Sequence, residues 1–172
     1  MNVIVTGPIG SGKTTAVRQA VRGMAPAWVG GICTYPVLRN GRKVALALAS
    51  HDGQERVFAR APGGADSPAD FEVDLRVFNS FGVDLLRRAA EAPLVVLDEL
   101  GLLEQQARDY CDAVADLWRQ HDRVVAVTQQ RALAFWQDRL GPDVPHESFD
   151  LNASDRDTLP AAIRATISRA RR

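Results

Sequence analysis

Lysine is nearly absent from this chain. Of 172 residues 21 are basic, yet lysine occurs only at Lys13 and Lys43, and every other basic side chain is arginine. A lysine in such a background marks a position that needs one. Cysteine is scarce as well. Cys33 and Cys111 lie far apart, with neither a CxxC nor a Cys/His spacing, which excludes a disulfide scaffold and a zinc ribbon and leaves two reduced, buried thiols as the expectation. The three histidines, His51, His121 and His146, have no ligand spacing. Net charge is absent too: 21 acidic residues cancel 21 basic ones, so no global field draws the chain to nucleic acid or an anionic membrane. No apolar run approaches the ~18 residues that span a bilayer. The opening "MNVIVTGPIG" lacks the basic start and long apolar stretch of a signal peptide. These shortages lead to the expectation of a soluble, cytoplasmic monomer with no membrane or nucleic-acid partner.

What is present suits one globular domain over residues 1–172. Hydrophobic content of 46% and charged content of 24% are ordinary for a chain with one sizeable core. "NVIVT" (2–6) reads as a buried strand stopped by Gly7. Val17, Ala20, Val21 and Met24 then recur at helical spacing until Gly23 and Pro26. From 28 to 60, three strand-like runs are punctuated by Asn40-Gly41 and Asp52-Gly53, dipeptides that favour tight hairpins and predict an antiparallel meander. "APGGADSPAD" (61–70) reads as a loop. Further on come a helix through Phe78, Phe81, Leu85, Leu86 and Ala89, the strand "LVVLD", a helix through Leu103 to Leu117, the strand "RVVAVT", a helix ending at Gly141-Pro142, an edge strand "HESFD" and a last helix from Leu159 to Ala170. Strand–helix alternation at both ends implies an α/β fold with a mostly parallel central sheet in three layers, the meander being inserted after the first helix. Packing is the expected role of Trp28, Trp118 and Trp136.

One motif carries chemistry outright. "GPIGSGKT", Gly7 to Thr14, satisfies G-x-x-x-x-G-K-[ST] between a strand and a helix, the phosphate-cradling P-loop. Gly7, Gly10 and Gly12 let the backbone turn tightly and aim N–H groups at one point, while Pro8, Ile9 and Ser11 fill the free positions. The helix beginning near Lys13 adds the positive end of its dipole. Lys13 can reach β- and γ-phosphate oxygens, and Thr14 offers a hydroxyl to Mg²⁺, with Thr15 beside it. A shuffled chain of this composition meets the pattern on the order of once in a thousand tries.

The strand "LVVLD" ends in two adjacent carboxylates, Asp98 and Glu99. Asp98 is the expected partner of Thr14 in holding the metal. Neighbouring side chains of a strand point to opposite sides, so Glu99 is assigned a different task, polarising the water that attacks the γ-phosphate. Thr128, at the end of "RVVAVT", or Gln129 after it, is a further candidate for orienting that water. Two other readings stay open: a small-molecule or nucleotide kinase, and a nucleotide-gated binding module whose hydrolysis an unknown protein partner switches on. Arg39, Arg42 and Arg131 are candidates for charge-stabilising arginines. The absence of N-K-x-D or another base-reading motif fits broad base specificity.

Together "VTGPIGSGKTT", "GGICTYPVLRNGRKVALALASHDGQERVFARA" and "PLVVLDELGLLE" resemble the small P-loop nucleoside-triphosphatase family that includes the human cancer-related nucleoside-triphosphatase. "VTQQR" and "DLNASDRDTLPAAI" follow in matching order. The resemblance implies slow, Mg²⁺-dependent hydrolysis of ATP, GTP and other nucleoside triphosphates to diphosphate and phosphate. It places the phosphates on Gly7 to Thr15, the metal on Asp98 and the water on Glu99. The chain departs from the family at Tyr35 and Pro36, where acidic residues are usual, in the Ala and Leu of "VALALA", and at Gln129 and Gln130.

Overall fold

A computed structural model describes residues 1–62, 71–152 and 156–169. Most of the loop expected over 61–70, and the chain end at Ala170, lie outside the described residues.

The alternating apolar residues of the predicted strands are divided between two faces of one sheet. Eight strands run in the order β5-β4-β3-β2-β6-β7-β1-β8. These are β1 (Asn2–Thr6), β2 (Val29–Arg39), β3 (Arg42–Ser50), β4 (Glu55–Arg60), β5 (Glu72–Val73), β6 (Leu94–Leu100), β7 (Val124–Thr128) and β8 (His146–Asp150). From β2 to β8 every neighbouring pair is parallel, and from β2 to β5 every pair is antiparallel. The sheet is therefore mixed, mostly parallel with an antiparallel flank, as expected. The meander, inserted after the first helix in sequence, extends the same sheet, because Val29 to Cys33 of β2 pair with Leu94 to Asp98 of β6 while β2 also pairs with β3. Strand β5 was not anticipated and extends the flank by two residues.

Side-chain alternation sends Val3, Val5, Leu94, Val96, Val125 and Val127 to one face, where α1 (Lys13–Val21) and α5 (Leu159–Ser168) cover them. Ile4, Val95, Leu97, Val124 and Ala126 point to the other face, under α2 (Val83–Ala89), α3 (Arg108–Gln120) and α4 (Leu133–Leu140). The result is three layers with a core on each side of the sheet. Trp118 and Trp136 are fully buried, as their helical spacing predicts, but Trp28 is 55% exposed in a short turn before β2. The helix through Phe78 also differs from a regular one. Its first part, Val77–Gly82, is π-helical and buries Phe78 and Phe81, with the Tyr110 ring against Gly82 where a methyl group would come within 2.9 Å of it.

Gly31 shows how tightly β2 is seated on β6. Its φ is +139°, and a Cβ there would come within 2.0 Å of the Val96 carbonyl oxygen. Only glycine allows that approach. The seating matters because it aligns the C-terminal ends of β1, β2, β6 and β7 on one edge, the edge where ligands of open α/β sheets bind.

Candidate functional site

The phosphate loop leaves β1 at Thr6 and returns as α1. Gly7, Gly10 and Gly12 all have positive φ, at 148°, 76° and 97°, which side chains with a Cβ rarely adopt. Gly12 is the residue before the helix, and its carbonyl accepts the Ala16 N–H at 2.9 Å. Pro8 and Ile9 form the exposed tip, whereas Ser11 and Lys13 are buried. The Ser11 hydroxyl has no hydrogen-bond partner.

Lys13 folds back over its own loop, donating from Nζ to the carbonyls of Gly7 at 2.9 Å and Pro8 at 2.7 Å. Burial pushes its ammonium below the usual lysine range, while the negative charges of Glu99 and Asp98 pull it back up. An anion placed in the loop would add to that second effect and favour the charged lysine.

Strand β7 lies between β1 and β6, so the loop and the paired acids approach from strands that are not neighbours. They meet through one bond: the Thr14 hydroxyl donates to Asp98 Oδ1 at 2.8 Å. Asp98 is 8% exposed. Burial raises its proton affinity, opposed by the Thr14 hydrogen bond and the positive charge of Arg18 one turn further along α1. Two hard oxygen donors this close suit Mg²⁺, which favours one or two protein oxygens and takes its other ligands from phosphate and water. Among the described residues no group of three or more His, Cys, Asp or Glu side chains is placed to hold a metal ion. Thr14 and Asp98 would thus hold the ion together with a nucleotide.

Glu99 departs from its expected geometry. Strict alternation would place it opposite Asp98. Instead its φ is +80°, one of only two positive values at non-glycine residues among the described residues. The pairing with β7 skips it, Asp98 matching Val127 and Leu100 matching Thr128. Glu99 is thus the extra residue of a β-bulge, a feature that bends a strand and re-aims a side chain. Both carboxylate oxygens are held, Oε2 accepting from the Thr34 hydroxyl at 3.2 Å and Oε1 from Gln129 Nε2 at 2.9 Å. A non-glycine residue kept in such a conformation, with its side chain clamped, is the kind of strain found at working sites.

Thr128 ends β7, directly before Gln129. It is 1% exposed, and its hydroxyl donates back to the Leu100 carbonyl at 2.9 Å. That bond closes the bulge, and the amide that reaches Glu99 comes from the next residue, Gln129. The Trp136 indole N–H donates to the Gly101 carbonyl at 3.0 Å, so α4 pins the same turn from below. Arg39 and Arg42 lie exposed at the tip of the β2–β3 hairpin, and Arg131 is exposed just after Gln129.

Sequence reasoning assigned no role to Thr34 or Arg18. Thr34 sits one residue beyond the β2 segment paired with β6, a relation that only the strand order reveals. Nor did the motifs single out Glu104, a carboxyl 3% exposed on the turn after the bulge.

With this geometry the comparisons with known proteins agree. A family described as NTPase matches residues 2–164. The nucleoside-triphosphatase THEP1 of Thermococcus kodakarensis is 30% identical over 151 residues, covering 83% of this chain and 81% of the relative. The THEP1 of Thermotoga maritima is 26% identical over 165 residues, with 92% and 91% covered. The crystal structure of THEP1 from Aquifex aeolicus superposes with a TM-score of 0.79 at 22% identity, covering 98% of this chain and 100% of that one. The solution structure of a human cancer-related nucleoside triphosphatase gives 0.75 at 19% identity, with 99% of each chain covered. These two likenesses concern the fold. The match over nearly the whole length places the chain in the NTPase family, and it is a nucleoside-triphosphatase.

Proposed function

We propose that this nucleoside-triphosphatase cleaves the terminal phosphoanhydride of ATP, GTP and related nucleotides by in-line attack of water, with Glu99 as the base. The observation that carries this reading is the bulge at Glu99, whose positive φ and two hydrogen bonds hold a carboxylate in place beside the Thr14–Asp98 pair. A carboxylate that is merely solvated needs neither strain nor clamps.

Each residue then has one task. The backbone from Gly7 to Thr15 wraps the phosphates, with Gly10 and Gly12 providing the turns, Pro8 and Ile9 closing the tip, and Ser11 adding its unpartnered hydroxyl. Lys13 exchanges the carbonyls of Gly7 and Pro8 for phosphate oxygens and neutralises charge as it develops. Thr14 and Asp98 would hold Mg²⁺, which when bound supplies Lewis-acid neutralisation of the phosphate oxygens. Glu99 accepts the proton of the attacking water while Thr34 and Gln129 fix its direction. Thr128 acts through the backbone, keeping the bulge closed and presenting Gln129.

Phosphate release from ATP, GTP, CTP and UTP, with and without Mg²⁺, tests the assignment on wild type and Glu99→Gln. Release from several nucleotides should require Mg²⁺. The variant should still bind nucleotide while turnover falls by about 10²–10⁴-fold, the usual worth of a general base. Wild-type turnover in Glu99→Gln would remove Glu99 from the role.

A further inference from the structure

The turn after Glu99 holds a second carboxyl that the mechanism above does not use. Glu104 is 3% exposed in the short helical turn Leu103–Gln106. Among the described residues no basic side chain pairs with it. Backbone N–H groups of Gly101, Leu103 and Glu104 itself face its oxygens. Burying a carboxyl without a cation is costly unless the group stays neutral. Such a group, kept one turn beyond the candidate base, calls for an explanation.

Gly101 supplies the connection. A Cβ at this glycine would lie 3.2 Å from Gln129 Nε2 and 3.2 Å from Glu104 Oε2. The two side chains therefore converge on the space left by the missing side chain. Gln129 uses the same Nε2 to hold Glu99 Oε1 at 2.9 Å. Glu99, Gln129 and Glu104 thus form a row around Gly101: a carboxylate, an amide and a second, hidden carboxyl.

We propose that Glu104 is a positioning residue for hydrolysis, its buried carboxyl controlling how firmly the Gln129 amide is held on Glu99. While Glu104 is neutral, the amide donates to Glu99 alone, and the base is held in its working direction. Once Glu104 ionises, its negative charge on the other side of Gly101 attracts the second N–H of the same amide and pulls the nitrogen off its line to Glu99. The inference rests on the assignment of Glu99 as the base.

The titratable neighbours agree with this division. Glu99 on β6 and Tyr110 and Cys111 on α3 face Glu104, and none brings a positive charge. Burial raises Tyr110 well above its ordinary range and Cys111 to about 11. Neither of them loses its proton near neutrality. Burial, helped by the charge of Glu99, raises Glu104 to about 7 against the opposing backbone N–H groups. Among these neighbours, a change centred there belongs to Glu104.

The test is steady-state phosphate release from Mg-ATP by the full chain, from about pH 5 to 9, for wild type, Glu104→Gln and Glu104→Asp, with Glu99→Gln alongside. A single ionisation centred near 7 makes wild-type kcat fall about tenfold between pH 6 and 8. Glu104→Gln, which mimics the neutral acid in the same volume, should keep its low-pH kcat across that range with KM unchanged. Glu104→Asp should retain the fall. A Glu104→Gln profile that keeps the wild-type inflection overturns the proposal. So does a uniform loss of kcat at every pH, which would mean a purely structural part. Undiminished turnover in Glu99→Gln would instead overturn the assignment of the base, so the two failures read differently.

Discussion

At an ordinary strand position alanine is more stable than glycine; at Glu99 the order should reverse. The perturbation is a pair of variants, Glu99→Ala and Glu99→Gly. Both delete the carboxylate and its bonds to Thr34 and Gln129, so those losses cancel in the comparison. What remains is the backbone at φ +80°. Holding a residue with a Cβ in the left-handed region costs about 1–2 kcal/mol. Glycine escapes that cost but loses about 0.5–1 kcal/mol more chain entropy than alanine on folding. The balance centres on about 0.75 kcal/mol in favour of glycine, or about 1.5–3 °C in Tm for a chain of this length. Urea unfolding of the nucleotide-free variants reads the difference directly. Glu55→Ala and Glu55→Gly on β4, where φ is not positive, provide the control with the usual order. An alanine variant as stable as the glycine variant, or more so, would mean that the backbone at Glu99 carries no strain, and strain would no longer single out Glu99 as the base.

Three further outcomes are expected. Lys13→Ala removes the side chain that lies over the loop, so nucleotide affinity by calorimetry should fall at least tenfold; unchanged affinity would exclude Lys13 from the phosphates. Gly31→Ala puts a methyl group 2.0 Å from the Val96 carbonyl oxygen, so β2 must shift from β6. It should cost at least about 3 kcal/mol in urea unfolding, in the range of severe core disruptions, and should lower turnover because Thr34 moves with the strand. Glu104 also affects stability with pH. Its folded-state proton affinity, near pH 7, lies above the ordinary 4.5, so its contribution is full below about pH 4.5 and lost as pH rises through about 7. The shift corresponds to up to about 3 kcal/mol, and Glu104→Gln should therefore gain stability over wild type at pH 8 but not at pH 4; equal curves at both would remove the group from the pH dependence.

Much of this architecture is legible in the chain because the features concerned are local. Gly7 to Thr14 combine a loop conformation and a charge that depend only on near neighbours. Asn40-Gly41 and Gly53 adopt positive φ in the turns between meander strands, as their chemistry predicts. Asp98 follows from a buried strand that ends in an acid. Other features depend on what comes alongside. Alternation separates Asp98 from Glu99 but misses the geometry of Glu99, because the bulge arises from the register with β7. Thr34 reaches Glu99 only because β2 lies next to β6, some 60 residues away in sequence. The π-helical turn at Val77–Gly82 answers to the Tyr110 ring packed against Gly82, a contact invisible to periodicity. Trp28 looks like core by composition and is exposed, since it falls in a turn at the start of β2 and not within its buried stretch.

The Thr14–Asp98 and Lys13–carbonyl bonds have a consequence for how this site exchanges its contents. The Thr14 hydroxyl, the Asp98 carboxylate and the Lys13 ammonium have hydrogen-bond partners within the protein. Binding is then a swap of hydrogen bonds, in which each contact made to phosphate or ion replaces one already present. Such a swap yields only the difference between two sets of contacts, and it leaves an easy way back. If Lys13 and Thr14 take the roles proposed above, both can return to Gly7, Pro8 and Asp98 once the terminal phosphate is cut away. On that reading, the site's own hydrogen-bond substitutes favour release of the product over its retention.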